Sequence, residues 1–148
     1  MSEDPPTHVV NVEAAIHRDG EYLLVERSAA ENHAAGQLSL IGGKVEADGE
    51  TDRPLERTVK REVREEVGVA ITDLSYVTSA AFVSDDGASV TNVVFRARYE
   101  SGEARPREPE EVAAVHWRNP AEIADAEDVP AFTRDYVDLA EADRRSNR

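Results

Sequence analysis

The chain has no cysteine among its 148 residues, so disulfide bonds and thiol chemistry are excluded. It also lacks an apolar run long enough to form a membrane-spanning helix. Its first residues do not have the charged, apolar and small-residue segments of a secretion signal. Together these absences favour a protein of the cytoplasm.

Basic residues are scarce, and lysine is the scarcest of them. The sequence has 31 acidic residues against 17 arginines and lysines, which gives a formal net charge of −14. Lysine occurs only at positions 44 and 60. This charge argues against binding nucleic acid or an anionic membrane through a basic surface, and we expect neither partner.

The composition also bears on the environment of the protein. Aromatic residues make up only 5% of the chain, and Asp and Glu are abundant. Together with scarce lysine, this is typical of proteins from salt-loving archaea, in which an acidic surface keeps the protein hydrated. An acidic mesophilic protein is the alternative. The halophilic interpretation is favoured because acidity alone does not explain the scarcity of lysine.

A chain of this length can form one domain with its own core. We predict a single domain over residues 1–148, with 1–6 frayed and 27–37 forming a loop beside a cleft. Residue patterning predicts strands at 9–16, 22–26, 38–41, 71–82, 90–99 and 112–118, and helices at 54–67, 120–125 and 130–142. This order favours an α/β fold with a mixed sheet between helices.

The helix predicted at 54–67 carries three glutamates at i, i+3 and i+4, namely Glu62, Glu65 and Glu66. This spacing stacks the three carboxylates on one face of a helix. Like charges so placed repel each other, but a hard cation such as Mg²⁺ binds carboxylate oxygens together with substrate phosphates. The alternative is a solvated charged face, which is the usual meaning of a charge run.

The sequence around the glutamates favours the metal-site interpretation. An apolar stripe runs beside them at steps of four residues and would bury the other side of the helix: Leu55, Val59, Val63 and Val67. Gly68 is suited to end the helix. Thr51 or Asp52 is expected to cap its start, with Pro54 in the first turn. The paired Gly42 and Gly43 upstream let the backbone approach a ligand closely.

A glycine-rich loop that leads into Arg-Glu-x-x-Glu-Glu resembles the Nudix box of the Nudix hydrolases, here spanning residues 43–69. The second half, from Arg61 to Val69, matches the family pattern without error. The first half departs from it, because Arg61 follows Gly43 by 18 positions (61 − 43), four more than the pattern has. We interpret residues 47–54 as a lengthened loop. Glu50 is similar to the first glutamate of the family pattern, and the insertion predicts that it lies outside the metal site.

The resemblance implies an α/β/α sandwich and Mg²⁺- or Mn²⁺-dependent hydrolysis of a pyrophosphate bond. It implies that the metal ligands are Glu62, Glu65 and Glu66, helped by the carbonyl of Gly43. It further implies that Arg61 orients a helix carboxylate through a salt bridge.

Candidate residues outside the helix each have an alternative role. Lys44 would contact phosphate or the base, and a solvated side chain is the alternative. Glu110 or Glu111 could add a carboxylate, with a solvated loop residue as an equal alternative. Trp117 is expected to pack in the core rather than to stack on a base.

The expected partner is a small nucleotide, with a homodimer left open. Positions 84–87 lack the Pro or Tyr that marks some subfamilies of this family. A nucleoside triphosphate, as in MutT-like enzymes, is therefore the first interpretation. ADP-ribose or another nucleotide sugar is the second. A Nudix-like module that binds nucleotides without cleaving them is a third, which the intact Glu62, Glu65 and Glu66 argue against.

The charge generates a prediction about salt. A chain of net charge −14 repels itself when folded, and molar salt screens this repulsion because the Debye length falls to about 3 Å at 1 M. We expect the melting temperature, measured by circular dichroism, to rise with KCl up to molar concentrations. A melting temperature that is the same at low and molar KCl would refute the halophilic interpretation.

Overall fold

The computed structural model describes residues 7–29, 36–46 and 49–147. Within these ranges the chain forms the following elements in order: β1 (Val9–Arg18), β2 (Glu21–Arg27), β3 (Leu38–Ser39), β4 (Ile41–Lys44), α1 (Pro54–Val67), β5 (Ala70–Val83), β6 (Ser89–Ser101), β7 (Val112–Arg118), α2 (Pro120–Asp125) and α3 (Ala131–Ser146). The expectations for residues 1–6 and for most of the 27–37 loop lie outside the described residues.

The strands form one sheet in the order β3-β2-β1-β6-β5, with β4 also paired to β1 and β7 to β2. The neighbours β1 and β6 run parallel, whereas the other pairs are antiparallel. A two-residue turn joins β1 to β2, and both Asp19 (φ 50°) and Gly20 (φ 83°) have positive φ. Asp-Gly favours this type I′ geometry, which suits the twist of the two strands.

The two faces of the sheet bury separate apolar clusters. Helix α1 covers one face with Val59, Val63 and Val67, which are fully buried against strand residues. Helices α2 and α3 cover the other face through Ile123 and Val137. Leu55, the first residue of the predicted stripe, is partly buried at the edge of the first cluster. The predicted α/β/α sandwich with a mixed sheet is confirmed.

Several predicted boundaries are confirmed by the structure, among them α1 over 54–67, β7 over 112–118 and α2 over 120–125. The strand expected at 38–41 is instead two short strands, because the chain leaves β2 and joins β1 on either side of Leu40. The last helix runs on to Ser146. Among the described residues, no helix is both long and apolar enough to cross a membrane.

The expected cap of α1 was wrong. Arg53, rather than Thr51 or Asp52, stands at the N-cap, with φ 56° and ψ 52° and no side-chain hydrogen bond to the helix. Pro54 suits the first position of a helix, because its fixed φ is already helical and it has no N–H to leave unpaired. The helix therefore starts abruptly at the proline, and Thr51 and Asp52 precede the capping position. The Arg53 Nε lies 3.3 Å from Glu56 Oε2, which joins the two residues across the first turn.

Helix α3 is fastened to the sheet by a charged network around Glu141. The buried Tyr22 donates a hydrogen bond to Glu141 Oε1 at 2.8 Å. Arg144 donates two hydrogen bonds to the same carboxylate, both at 2.8 Å, and Arg145 donates one at 3.0 Å. The bonds from Arg144 are the largest cause that lowers the pKa of Glu141 to about 2. The network therefore stabilises the ionised carboxylate.

This network predicts a loss of stability on acidification. The depressed pKa of Glu141 means that its contribution is present above about pH 4.5 and is lost as the pH falls toward about 2. At pH 7 we expect Glu141→Gln to lower the free energy of unfolding by about 2 kcal/mol, and the difference from the parent to shrink below pH 4. Urea titrations across this range measure it. Asp138→Asn, an exposed residue of the same helix, is the control, and a difference independent of pH would contradict the assignment.

Candidate metal-binding active site

The C-terminal end of α1 is held by the loop that precedes β7. Gly68 ends the helix with φ 76°, and its N–H donates to the carbonyl of Arg64 at 3.0 Å. Arg107 donates its backbone N–H to the carbonyl of Glu66 at 2.8 Å, and Arg105 donates to that of Val67 at 3.1 Å. These bonds satisfy helix carbonyls that have no partner within the helix. They also bring the acidic residues of the loop beside α1.

Glu66 is the most deeply buried of the three helix glutamates, with 2% of the residue exposed. Its Oε1 lies 3.9 Å from an Nη of Arg27, and its Oε2 is buried without a hydrogen-bond partner. Burial raises the pKa of Glu66 to about 8, and the carboxylates of Glu62 and Glu111 add to the rise while Arg27 opposes it. A buried carboxylate in this state lacks the compensating positive charge that it needs.

Glu62 packs directly against the backbone of β4. A Cβ placed on Gly43 would lie 2.6 Å from the Glu62 Cδ and 2.9 Å from its Oε1. Only glycine therefore allows this carboxylate to approach the strand. The side chain is 19% exposed, and Arg61 donates to its Oε1 at 3.3 Å. Burial raises the pKa of Glu62, and this hydrogen bond from Arg61 partly offsets the rise.

Glu65 and two glutamates of the loop complete the acidic surroundings. The Glu65 side chain is 52% exposed, with its Oε1 3.8 Å from the Arg61 Nε. Glu111 is half-buried and close enough to raise the pKa of both Glu62 and Glu66. The pKa of Glu108 is raised by burial and then by Glu111, Glu62 and Glu65. Five carboxylates thus converge on one end of α1.

The residues present fit a divalent cation. The buried, partnerless Oε2 of Glu66 and the Glu62 carboxylate beside it supply the hard oxygen ligands that Mg²⁺ prefers. In the described part of the chain, however, no group of three His, Asp or Glu residues already stands around one point. Arg61 and Arg27 instead hold Glu62 and Glu66. Glu65 and Glu111 are further carboxylates near these two.

The structure does not bring all the predicted site residues together. Lys44 is exposed and lines a separate cavity with Asp85 and Asp86. Glu50 is exposed in the segment before α1, and Glu110 is exposed in the loop before β7. The backbone carbonyl of Glu110 accepts a hydrogen bond from Ser28 Oγ. Of the two loop glutamates named from the sequence, Glu111 is therefore the one placed beside α1.

Trp117 packs partly against the core, as predicted, and its ring lies 3.9 Å beneath the guanidinium of Arg18.

Arg27 was missed by the sequence analysis. It ends β2, outside any motif, and reaches Glu66 because the end of this strand lies near the last turn of α1 in the folded chain. Its Nε donates to Ser39 Oγ at 2.9 Å, which fixes the guanidinium. Glu108 was missed for a similar reason, since it is one acidic residue among several in its loop. No motif in the sequence pointed to Arg27, which is one of 17 arginines and lysines.

Comparison with known proteins agrees with this geometry. The family model of the NUDIX domain matches residues 7–139. The structure is similar to that of a MutT NUDIX hydrolase from Burkholderia pseudomallei, with a TM-score of 0.75, 30% identity, and coverage of 90% of this chain and 98% of that one. It is also similar to a MutT protein from Methanosarcina mazei Go1, with a TM-score of 0.75, 28% identity, and coverage of 98% and 99%.

One relative found by sequence is described as a hydrolase of NAD-capped RNA and not as a MutT protein. The chain is 36% identical over 111 residues to the NAD-capped RNA hydrolase NudC of Photobacterium profundum. The match covers 74% of this chain but only 37% of that relative. The chain therefore spans little more than a third of the length of the NudC protein.

The buried Glu66 predicts an unusual stability profile without metal. Its pKa is raised from 4.5 to about 8, so the folded state loses stability as the pH rises from about 4.5 to 8. In EDTA at pH 8 we expect Glu66→Gln to be more stable than the parent by about 1–3 kcal/mol, and equal to it at pH 4. Chemical denaturation measures this. Glu65→Gln, at the half-exposed neighbour, should change little, and a parent that is more stable than Glu66→Gln at pH 8 would contradict the assignment.

Proposed function

We propose that this chain, which belongs to the Nudix family of hydrolases, is a pyrophosphohydrolase that cleaves a phosphoanhydride bond of a nucleoside triphosphate with Mg²⁺ or Mn²⁺ held by Glu62, Glu65 and Glu66. Enzymes of this family generally use such divalent metals. The proposal assigns the metal to the inner side of α1, with the Gly43 carbonyl and Glu111 as further oxygen donors. A Nudix-like module that binds nucleotides without cleaving them is the alternative, and the intact Glu62, Glu65 and Glu66 argue against it.

One observation carries the proposal. Glu66 is buried to 2% exposure with a partnerless oxygen, beside a second carboxylate that only a glycine at position 43 can accommodate. Burying two carboxylates side by side destabilises a fold unless a positive charge compensates them. A solvated charged face, the alternative drawn from the sequence, does not explain this burial.

The reaction places defined demands on the residues of the site. Water adds to one phosphorus, the bridging P–O bond breaks, and the leaving phosphate keeps the bridging oxygen. A bound divalent cation neutralises the phosphate oxygens and so lets an acidic cleft accept a polyanion. Arg61 holds the Glu62 carboxylate in place, and Arg27 presents a guanidinium beside Glu66 that suits a phosphate oxygen.

The second candidate substrate is a dinucleotide or nucleotide sugar, such as NAD or ADP-ribose. The identity to NudC favours a dinucleotide diphosphate. A capped RNA is less suitable, because a chain of net charge −14 offers little attraction to a polynucleotide. The MutT-like neighbours, which are matched over almost their whole length, support the triphosphate as the first candidate.

We expect Glu62→Gln and Glu66→Gln each to lower kcat by at least about 100-fold, since even groups that only support metal ligands contribute ~10–100-fold. The amide keeps the shape of the side chain but removes the charge that a cation needs. The assay is product analysis by chromatography after incubation with Mg²⁺ and a panel of nucleoside triphosphates, NAD and ADP-ribose.

Glu50→Gln is the matched control, because Glu50 is exposed ahead of α1 and the proposed insertion leaves it outside the metal site. It should retain most of the parent activity. Parent-like turnover by Glu62→Gln and Glu66→Gln would show that the metal site is assigned to the wrong residues.

A further inference from the structure

A second feature lies across the sheet from the three glutamates. A cavity of about 230 Å³ opens between β1, the β3–β4 segment and the start of α3. Six of its lining residues carry the argument: Asn11, Glu13, Arg27, Ser39, Gly42 and Phe132. Ligand pockets for whole drug-sized molecules are usually about 300–1,000 Å³, so this cavity suits one part of a larger ligand.

The cavity has a polar end on β1. Asn11 donates from its Nδ2 to the Asn92 Oδ1 at 2.8 Å. Asn92 in turn donates from its Nδ2 to Glu13 Oε1 at 2.7 Å and to the Tyr136 hydroxyl at 3.3 Å. Asn92 is 3% exposed, and these bonds use its donors and its acceptor. It therefore serves as a support that fixes Asn11 and Glu13.

Asn11 and Glu13 keep acceptor capacity on the cavity side. With Nδ2 of Asn11 directed at Asn92, its Oδ1 remains able to accept a hydrogen bond. Glu13 accepts from Asn92 at Oε1 and has a second oxygen to offer. Burial raises the pKa of Glu13, and a donor supplied by a ligand would favour its ionised form. Two acceptors thus stand side by side on one strand.

The opposite wall of the cavity is aromatic. Phe132, near the start of α3, is 50% exposed and lines the opening. Its ring packs edge-on against Tyr136, with ring centres 6.3 Å apart. An exposed phenyl ring that is held by a neighbour is a stacking surface for a planar heterocycle such as a nucleotide base.

Two lining residues of the cavity lie near the proposed metal site. Arg27 lines it and places an Nη 3.9 Å from Glu66 Oε1. Gly42, cross-strand neighbour of Glu13, lines it as well, next to the Gly43 that packs on Glu62. A side chain at position 42 could not fit, because its Cβ would lie 1.8 Å from the carbonyl oxygen of Val12. A ligand with a base in the cavity would therefore extend its phosphates past Arg27 toward α1.

We propose that this cavity binds the base of the nucleotide substrate, with Phe132 stacking on the ring, and that Glu13 and Asn11 select bases that carry an exocyclic amino group. The inference rests on the proposed function for the position of the phosphates. Guanine and cytosine offer N–H donors to the paired acceptors. Uracil has a carbonyl oxygen where cytosine has the amino group, so it meets repulsion from the acceptors. Hypoxanthine has only a hydrogen atom where guanine has the amino group, so it loses the hydrogen bond.

The main test compares matched bases by isothermal titration calorimetry. We expect the parent protein to bind GMP more tightly than IMP, and CMP more tightly than UMP. The dissociation constants should differ by roughly tenfold or more, as for other bidentate contacts to a base edge. Glu13→Gln should reverse or abolish this preference, because Asn92 donates to the amide oxygen and leaves an NH₂ donor facing the cavity. Glu100→Gln, at an exposed glutamate of β6, should keep the parental preference.

A second pair of variants tests the aromatic wall. Phe132→Ala should weaken binding of all four monophosphates roughly tenfold, and should raise KM for the matching triphosphates while leaving kcat nearly unchanged. Phe82→Ala is the matched control, since Phe82 on β5 is also 50% exposed but does not line the cavity. Equal effects of the two variants would overturn the assignment of Phe132.

These measurements separate the inference from the proposed function. If the parent hydrolyses nucleotides but binds GMP and IMP equally, the base selection is wrong and the catalytic proposal stands. If the parent hydrolyses nothing but shows the amino preference that Glu13→Gln reverses, the cavity is a base site and the catalytic proposal is wrong. If Glu13→Gln leaves a parental preference unchanged, Glu13 does not read the base.

Discussion

The structure depends on the burial of the Glu66 carboxylate between α1 and the sheet. Val59, Val63 and Val67 draw that side of α1 onto the core, and the position of Glu66 in the same turns carries its carboxylate inward with them. The apolar packing thus offsets the cost of burying a charge. The guanidinium of Arg27, whose Nη lies 3.9 Å from Glu66 Oε1, compensates the carboxylate charge only in part. A stronger positive charge, such as a divalent cation, would complete the compensation.

This constraint also explains the arrangement of the neighbouring segments. The glycine at position 43 lets Glu62 lie against β4, and the loop before β7 binds the helix carbonyls through Arg105 and Arg107. Each contact brings an oxygen ligand or a carboxylate toward the same end of α1. Arg27 then links this end to the cavity on the other face of the sheet, so that a single ligand could occupy both.

Local patterns determined what could be predicted from the sequence. The spacing of Glu62, Glu65 and Glu66 fixed their common face, and Gly68 fixed the helix end. Contacts between distant segments could not be predicted in this way. The approach of Arg27 to Glu66 depends on where the end of β2 lies relative to the last turn of α1. The place of Glu111 depends on the path of its loop. Lys44 was expected to contact phosphate or the base, with a solvated side chain as the alternative, and in the structure it is exposed and lines a cavity with Asp86.

The central claim is that Glu62 and Glu66 are ligands of a divalent cation. A crystal of the protein grown with Mn²⁺ and measured for anomalous scattering tests it most directly. The account predicts an anomalous peak within about 2.0–2.3 Å of carboxylate oxygens of both residues, the range of such metal–oxygen bonds. A peak bound elsewhere, for example by Asp85 and Asp86, with Glu66 still buried beside Arg27 and without metal, would contradict it.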